Sequence, residues 1–73
     1  MKLGTQGVEW VQDLANEKLN PNINGRMANM IESMEQKVSD WDTEGYISEA
    51  QYGFLVVISD ACGVTAPSWD ELG

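Results

Sequence analysis

The sequence predicts an all-α protein, a compact three-helix domain over residues 1–73 with a short C-terminal tail. Three observations carry that prediction. Ile47 to Gly63 is an almost continuously apolar stretch opened by an S-x-x-Q cap signature and closed by glycine. Met27, Met30, Ile31, Met34, Val38 and Trp41 recur at i, i+3, i+4, i+7, i+11 and i+14, a single helical stripe. Val8, Trp10, Val11, Leu14 and Ala15 fall within one arc of a helical projection, with acids opposite them.

Helix 1 is expected over about residues 5–19, with Thr5 as its cap. Asn20-Pro21-Asn22-Ile23-Asn24-Gly25 reads as a loop from its proline, asparagines and glycine. Its N-x-N-x-N-G pattern carries no carboxylate, and Ile31 stands where a calcium loop needs a bidentate acid, so Asn24 is assigned as the cap of the next helix. Helix 2, about 26–41, presents its methionine-rich stripe either to the core or to a binding groove. Helix 3, about 49–62, starts at a capping box of Ser48 and Gln51, with Ile47 and Tyr52 spaced as a hydrophobic staple, and stops at Gly63. Phe54, Leu55, Ile58, Ala61 and Cys62 share its broad face, while Tyr52, Val56 and Val57 lie outside it. A helix apolar almost all round must be covered on two sides, by the other helices or by a partner. Tyr52, Val56 and Val57 therefore offer either a two-fold interface for a homodimer or a surface for the tail to pack over. In the tail, residues 64–73, Pro67 prevents a simple continuation and Ser68 with Glu71 repeats the capping-box spacing. Trp69 and Leu72 either fold back over the core or dock into a partner.

Twelve acidic against four basic residues give a net charge of −8. Nucleic acid and anionic membrane are disfavoured as direct ligands, because both would repel the chain. Three uses of the charge remain: solubility, a cation site, or a basic protein surface such as one that normally holds nucleic acid. Cys62 is the only cysteine and there is no histidine, so a disulfide framework, a Cys/His metal cluster and an activated thiol nucleophile are all unexpected. A lone reduced thiol suits the cytoplasm. The start MKLGTQGVEW does not read as a signal peptide, and Phe54 to Ile58, the longest apolar run, is far too short to span a membrane. Asp40 and Asp42 could exchange protons, but no nucleophile or oxyanion hole accompanies them, and the chain is not expected to be an enzyme.

Glu9, Asp13 and Glu17 recur every fourth residue on the polar side of helix 1, placing carboxylates roughly 6 Å apart along the axis. Such a ridge either faces solvent or imitates a row of phosphates. With Trp69, Asp70, Glu71 and Leu72 of the tail, it forms the candidate partner-binding set.

Asp40 to Gln51 resembles the twelve-residue loop of an EF-hand, with acids at positions 1, 3 and 5 and glycine at position 6. That resemblance implies calcium as cofactor, held by Asp40, Asp42, Glu44, the Tyr46 carbonyl, Ser48 and Gln51. Gln51 departs from the pattern, replacing the bidentate glutamate of position 12. A second resemblance covers Met30-Ile31-Glu32-Ser33-Met34 and Gly45-Tyr46-Ile47-Ser48-Glu49-Ala50-Gln51, followed by Leu55 and Ile58. This pattern is similar to a helix-hairpin module of bacteriophage proteins of DNA metabolism, in which the glutamine is the expected cap partner. It implies a small acidic interaction protein in the host-cell cytoplasm that binds a basic surface of nucleic-acid machinery and modulates or inhibits it.

Overall fold

The computed structural model describes residues 1–73 as three α-helices: α1 (Gly4–Ala15), α2 (Gly25–Trp41) and α3 (Glu49–Cys62). Short 3₁₀ turns occupy Asp42–Glu44 and Trp69–Glu71. No helix is long and apolar enough to cross a membrane.

The α3 boundaries coincide with those read from its caps. The Ser48 hydroxyl accepts the Gln51 N–H at 3.1 Å, and the Gln51 side chain accepts the Ser48 N–H at 2.9 Å. Gly63 closes the helix at φ 76°, a left-handed conformation that favours glycine. At α2, Asn24 accepts the Met27 N–H at 2.9 Å, as a helix cap should. Ile31 and Met34 from the α2 stripe are buried, whereas Trp41 is 65% exposed. The reason is length: α2 runs for roughly 26 Å against roughly 18 Å for α1, so its last turn overhangs the core.

At α1 the structure corrects the expected boundaries. Thr5 lies inside the helix, and Leu3 takes the cap position without any side-chain cap bond. Leu3 is fully buried, and its carbonyl accepts the Gly7 N–H at 3.1 Å and the Gly73 N–H at 3.3 Å. Gly4 adopts φ 67°, and a Cβ there would lie 2.8 Å from the Gly73 nitrogen. Burial of Leu3 thus fixes the helix start more strongly than a threonine cap. At the other end α1 stops at Ala15, and the chain tightens through i→i+3 bonds from Glu17 to Leu14, Lys18 to Ala15 and Asn20 to Glu17. Pro21 disfavours helical backbone at Asn20, and the unwinding begins a turn earlier.

Lys2 and Tyr46 form an antiparallel bridge absent from the sequence reading. The Leu3 N–H reaches the Gly45 carbonyl and the Ile47 N–H reaches the Met1 carbonyl, each at 2.8 Å. Ten buried apolar residues make one core, to which α1 gives Trp10, Val11 and Leu14, α2 gives Ile31 and Met34, and α3 gives Leu55 and Ile58. Leu3, Ile47 and Leu72 close it from outside the helices. Inside it, the Trp10 indole N–H donates to the Ser59 hydroxyl at 2.8 Å, and that hydroxyl donates to the Leu55 carbonyl at 2.8 Å. No buried side-chain nitrogen or oxygen is left without a partner.

The tail folds back. Leu72 is 6% exposed, so it belongs to the core and leaves the expected docking set. The Tyr52 hydroxyl donates to the Pro67 carbonyl at 2.7 Å, and the Tyr52 ring lies edge-on between Trp10 and Trp69 at 5.5 and 5.3 Å. Tail packing therefore covers Tyr52, which is not free for the expected two-fold interface. Val56 is half-buried against the core, and Val57 alone of the three stays exposed.

Candidate protein-docking site

Folding the tail over α1 creates a groove of about 410 Å³. Glu9 and Asp13 come from one helical turn of α1, and Glu71 comes from the 3₁₀ turn of the tail. Trp10, Ala66 and Pro67 supply apolar wall, with Gln6 and Thr65 at the margins. Carboxylates from two segments 58 residues apart, Asp13 and Glu71, thus converge on one concavity that contains no basic residue.

The tail rim is held by local chemistry. The Ser68 N–H donates to the Glu71 carboxylate at 2.8 Å, and the Glu71 N–H returns to the Ser68 carbonyl at 3.0 Å. The Ser68 N–H, followed by the Ser68 side chain, holds the Glu71 carboxyl below the usual carboxylate range. Glu71 is therefore charged at neutral pH.

The groove's charge is uncompensated because every base is engaged elsewhere. Lys2 pairs with Glu44 at 2.9 Å and Lys18 with Glu35 at 2.6 Å. The Lys37 ammonium donates to the Tyr46 carbonyl, and the Arg26 guanidinium sits over the Phe54 ring at 5.8 Å. All carboxylates except Glu35 and Glu44 lack a salt bridge. Each lysine that pairs with an acid has its pKa raised, first by the hydrogen bond to that acid.

Of the residues expected to bind a partner, Glu9, Asp13 and Glu71 come together. Glu17 falls in the turn beyond α1, so the ridge ends after Asp13. Asp70 is exposed outside the groove, and Trp69 is half-buried in a T-shaped contact with Tyr52. Trp10, Ala66 and Pro67 were missed as site residues. Only the spacing of Pro67 before Ser68 hinted that the tail turns back at this point.

The residues of the EF-hand-like loop are dispersed over the α2 end, the 3₁₀ turn, the Lys2–Tyr46 bridge and the α3 cap. Asp40 lies in the last turn of α2 and accepts from the Gln36 side chain at 3.0 Å. Glu44 holds Lys2, the Tyr46 carbonyl holds Lys37, and Ser48 and Gln51 cap α3. Asp42 opens the 3₁₀ turn at φ 50°. Nowhere do three or more acidic, cysteine or histidine side chains gather in a geometry suited to a metal ion.

The chain matches no protein family, and no characterised protein or solved structure is significantly similar to it.

Proposed function

We propose that this chain is a small non-enzymatic interaction protein that docks its α1–tail groove on the basic surface of a larger protein. The observation that carries the reading is the convergence of Glu9, Asp13 and Glu71 on one groove in a molecule whose four bases are already engaged. Carboxylates fixed on a folded scaffold imitate the charge of a phosphate backbone without its flexibility. Their field steers a basic partner, and long-range attraction of this kind chiefly raises the association rate. The partner class is a protein whose basic face ordinarily carries nucleic acid. Occupation of that face by this chain would modulate or inhibit it, the role that the resemblance noted at Met30–Met34 and Gly45–Gln51 implies.

Competition tests the reading. A fluorescent duplex is bound to a lysine-rich DNA-binding protein, and this chain is titrated in while anisotropy is followed. The wild type should displace the duplex, and combined Glu9→Lys, Asp13→Lys and Glu71→Lys changes should abolish displacement. A matched variant reverses Glu32, Glu49 and Asp60, which lie outside the groove. Equal loss in the two variants would mean that only net charge matters, and the groove would not be the site.

A further inference from the structure

Five asparagines stand in the chain, and one of them, Asn24, is followed by glycine. We infer that the Asn24–Gly25 peptide is a site of spontaneous modification, at which the native protein deamidates through a succinimide ring. Neither residue lines the α1–tail groove, so the inference does not rest on the docking reading.

The chemistry asks three things of an asparagine: a following N–H free to attack, a side-chain amide free to leave, and room for the ring. A backbone N–H held by a carbonyl cannot swing onto the side chain, and by that criterion the fold protects four of the five. After Asn16, the Glu17 N–H donates to the Leu14 carbonyl, and after Asn22, the Ile23 N–H donates to the Asn20 carbonyl, each at 2.9 Å. Asn20 precedes Pro21, which has no N–H. Asn29 lies inside α2, where the Met30 N–H belongs to the helical ladder. Gly25 is different. It is the first residue of α2, so its N–H has no intrahelical acceptor, and no loop carbonyl takes it. Both residues are exposed, and a Cβ placed on Gly25 would meet nothing within 4 Å.

In the reaction the Gly25 nitrogen, having lost its proton to solvent base, bonds to Asn24 Cγ. The Cγ–Nδ2 bond breaks and the side-chain nitrogen leaves as ammonia. Water, the sole co-reactant, then opens the ring at one of its two carbonyls. Attack at Cγ gives aspartate, whereas attack at the backbone carbonyl gives isoaspartate, whose main chain runs through Cγ. Either product adds one negative charge to the net −8. Aspartate caps a helix as well as asparagine does, and its charge suits the helix N-terminus. Isoaspartate lengthens the main chain by one carbon, so the cap on Met27 is lost and the first turn of α2 frays.

One restraint opposes the reaction. The 2.9 Å bond from the Met27 N–H to Asn24 Oδ1, with Asn24 ψ at 175°, holds the amide off the ring geometry. Releasing it gives up one helix cap and leaves the core closed. The folded chain should therefore react between about twofold and thirtyfold more slowly than the unfolded one. A reaction confined to the globally unfolded state would be slowed about a thousandfold or more.

The test incubates the full chain in warm buffer, with and without urea, and follows the tryptic peptide Leu19–Arg26 by mass spectrometry. Deamidation should appear first at Asn24, quicken with rising pH, and be slowed by folding only within the local range. Leu72→Ala, kept under conditions where circular dichroism shows it folded, should leave the native rate unchanged, because the cap opens without the core. Gly25→Ala fits the open site and should slow the reaction several-fold in both states, since a Cβ crowds the ring. The inference is overturned if Asn24 stays intact in the native chain while the unfolded chain converts, if another asparagine reacts faster, or if Leu72→Ala accelerates the native reaction in step with its loss of stability.

Discussion

Ser59→Ala should destabilise the protein although it removes a single oxygen. Ser59 is fully buried, and its hydroxyl is the acceptor for the Trp10 indole N–H at 2.8 Å. Trp10 is only 2% exposed, so the freed donor cannot turn to water. An orphaned buried donor costs about 1–3 kcal/mol. Two effects limit the loss. The Leu55 carbonyl, which also accepts the hydroxyl, keeps its helical bond from the residue-59 amide. Alanine is also the better helix former by about 0.5 kcal/mol. The net loss is about 0.5–2.5 kcal/mol, which in a domain of this size lowers Tm by about 2–20 °C. Thermal and urea unfolding followed by circular dichroism would measure it. A second background makes the test specific: in Trp10→Phe there is no indole N–H to orphan, and Ser59→Ala should then be close to neutral. Equal destabilisation in both backgrounds would show that the hydrogen bond is not the cause, and a wild-type Tm in Ser59→Ala alone would refute the reasoning outright.

Leu72→Ala should cost about 2–5 kcal/mol by urea unfolding, as for a buried core leucine, whereas a solvent-exposed docking leucine would cost almost nothing. Asp42→Gly should hold or raise stability, by up to about 1 kcal/mol, because glycine relieves the positive φ of that residue. Calcium titration should leave Trp41 emission flat at millimolar ion, and it should stay flat in Gln51→Glu; a saturable response in either would restore the EF-hand reading. Acid should loosen the tail late. Glu71 has a folded pKa below its unfolded value, so its contribution is complete above the ordinary carboxylate value and fades only as pH falls through the lowered one. Glu71→Gln should remove that step from the pH profile of tail-proton exchange.

What was legible in the sequence is what local chemistry decides. Both residues of the Ser48–Gln51 box and the Gly63 stop are neighbours in the chain, and α3 could be bounded from them alone. Asn24 bounded α2 in the same way. Thr5 failed because the start of α1 is set by partners far along the chain, Leu3 against Gly73 and Gly7 against Leu72. The structure shows that close approach at Gly7, where a Cβ would lie 3.3 Å from Leu72 Cδ2. The acidic half of the groove was visible as the Glu9–Asp13 spacing, and its partner Glu71 as a cap. Their convergence was not visible, because it depends on Tyr52 reaching the Pro67 carbonyl across 15 residues. Likewise, the helical period alone put Trp41 in the core stripe, and only the overhang of α2 exposes it.

The core and the α1–tail groove are not independent parts of this molecule. Trp10 is at once a buried core residue and a wall of the groove, and Ser59 fixes the orientation of its ring. From Trp10 the contact runs edge-to-face through Tyr52 to Trp69, and the Tyr52 hydroxyl holds Pro67 on the opposite wall. Both walls are therefore positioned from inside, before any partner arrives. A preorganised groove loses little conformational freedom on binding, so more of the electrostatic attraction is realised as affinity. Two kinds of substitution should then separate. Charge changes at Glu9 or Asp13 should weaken docking at unchanged Tm, chiefly through a slower, more salt-sensitive association. Tyr52→Phe keeps every charge, but it frees the Pro67 wall at a cost of about 0.5–1.5 kcal/mol, and its docking defect should be in the dissociation rate. If Tyr52→Phe lowers Tm and leaves dissociation unchanged, the core stabilises the fold without shaping the groove.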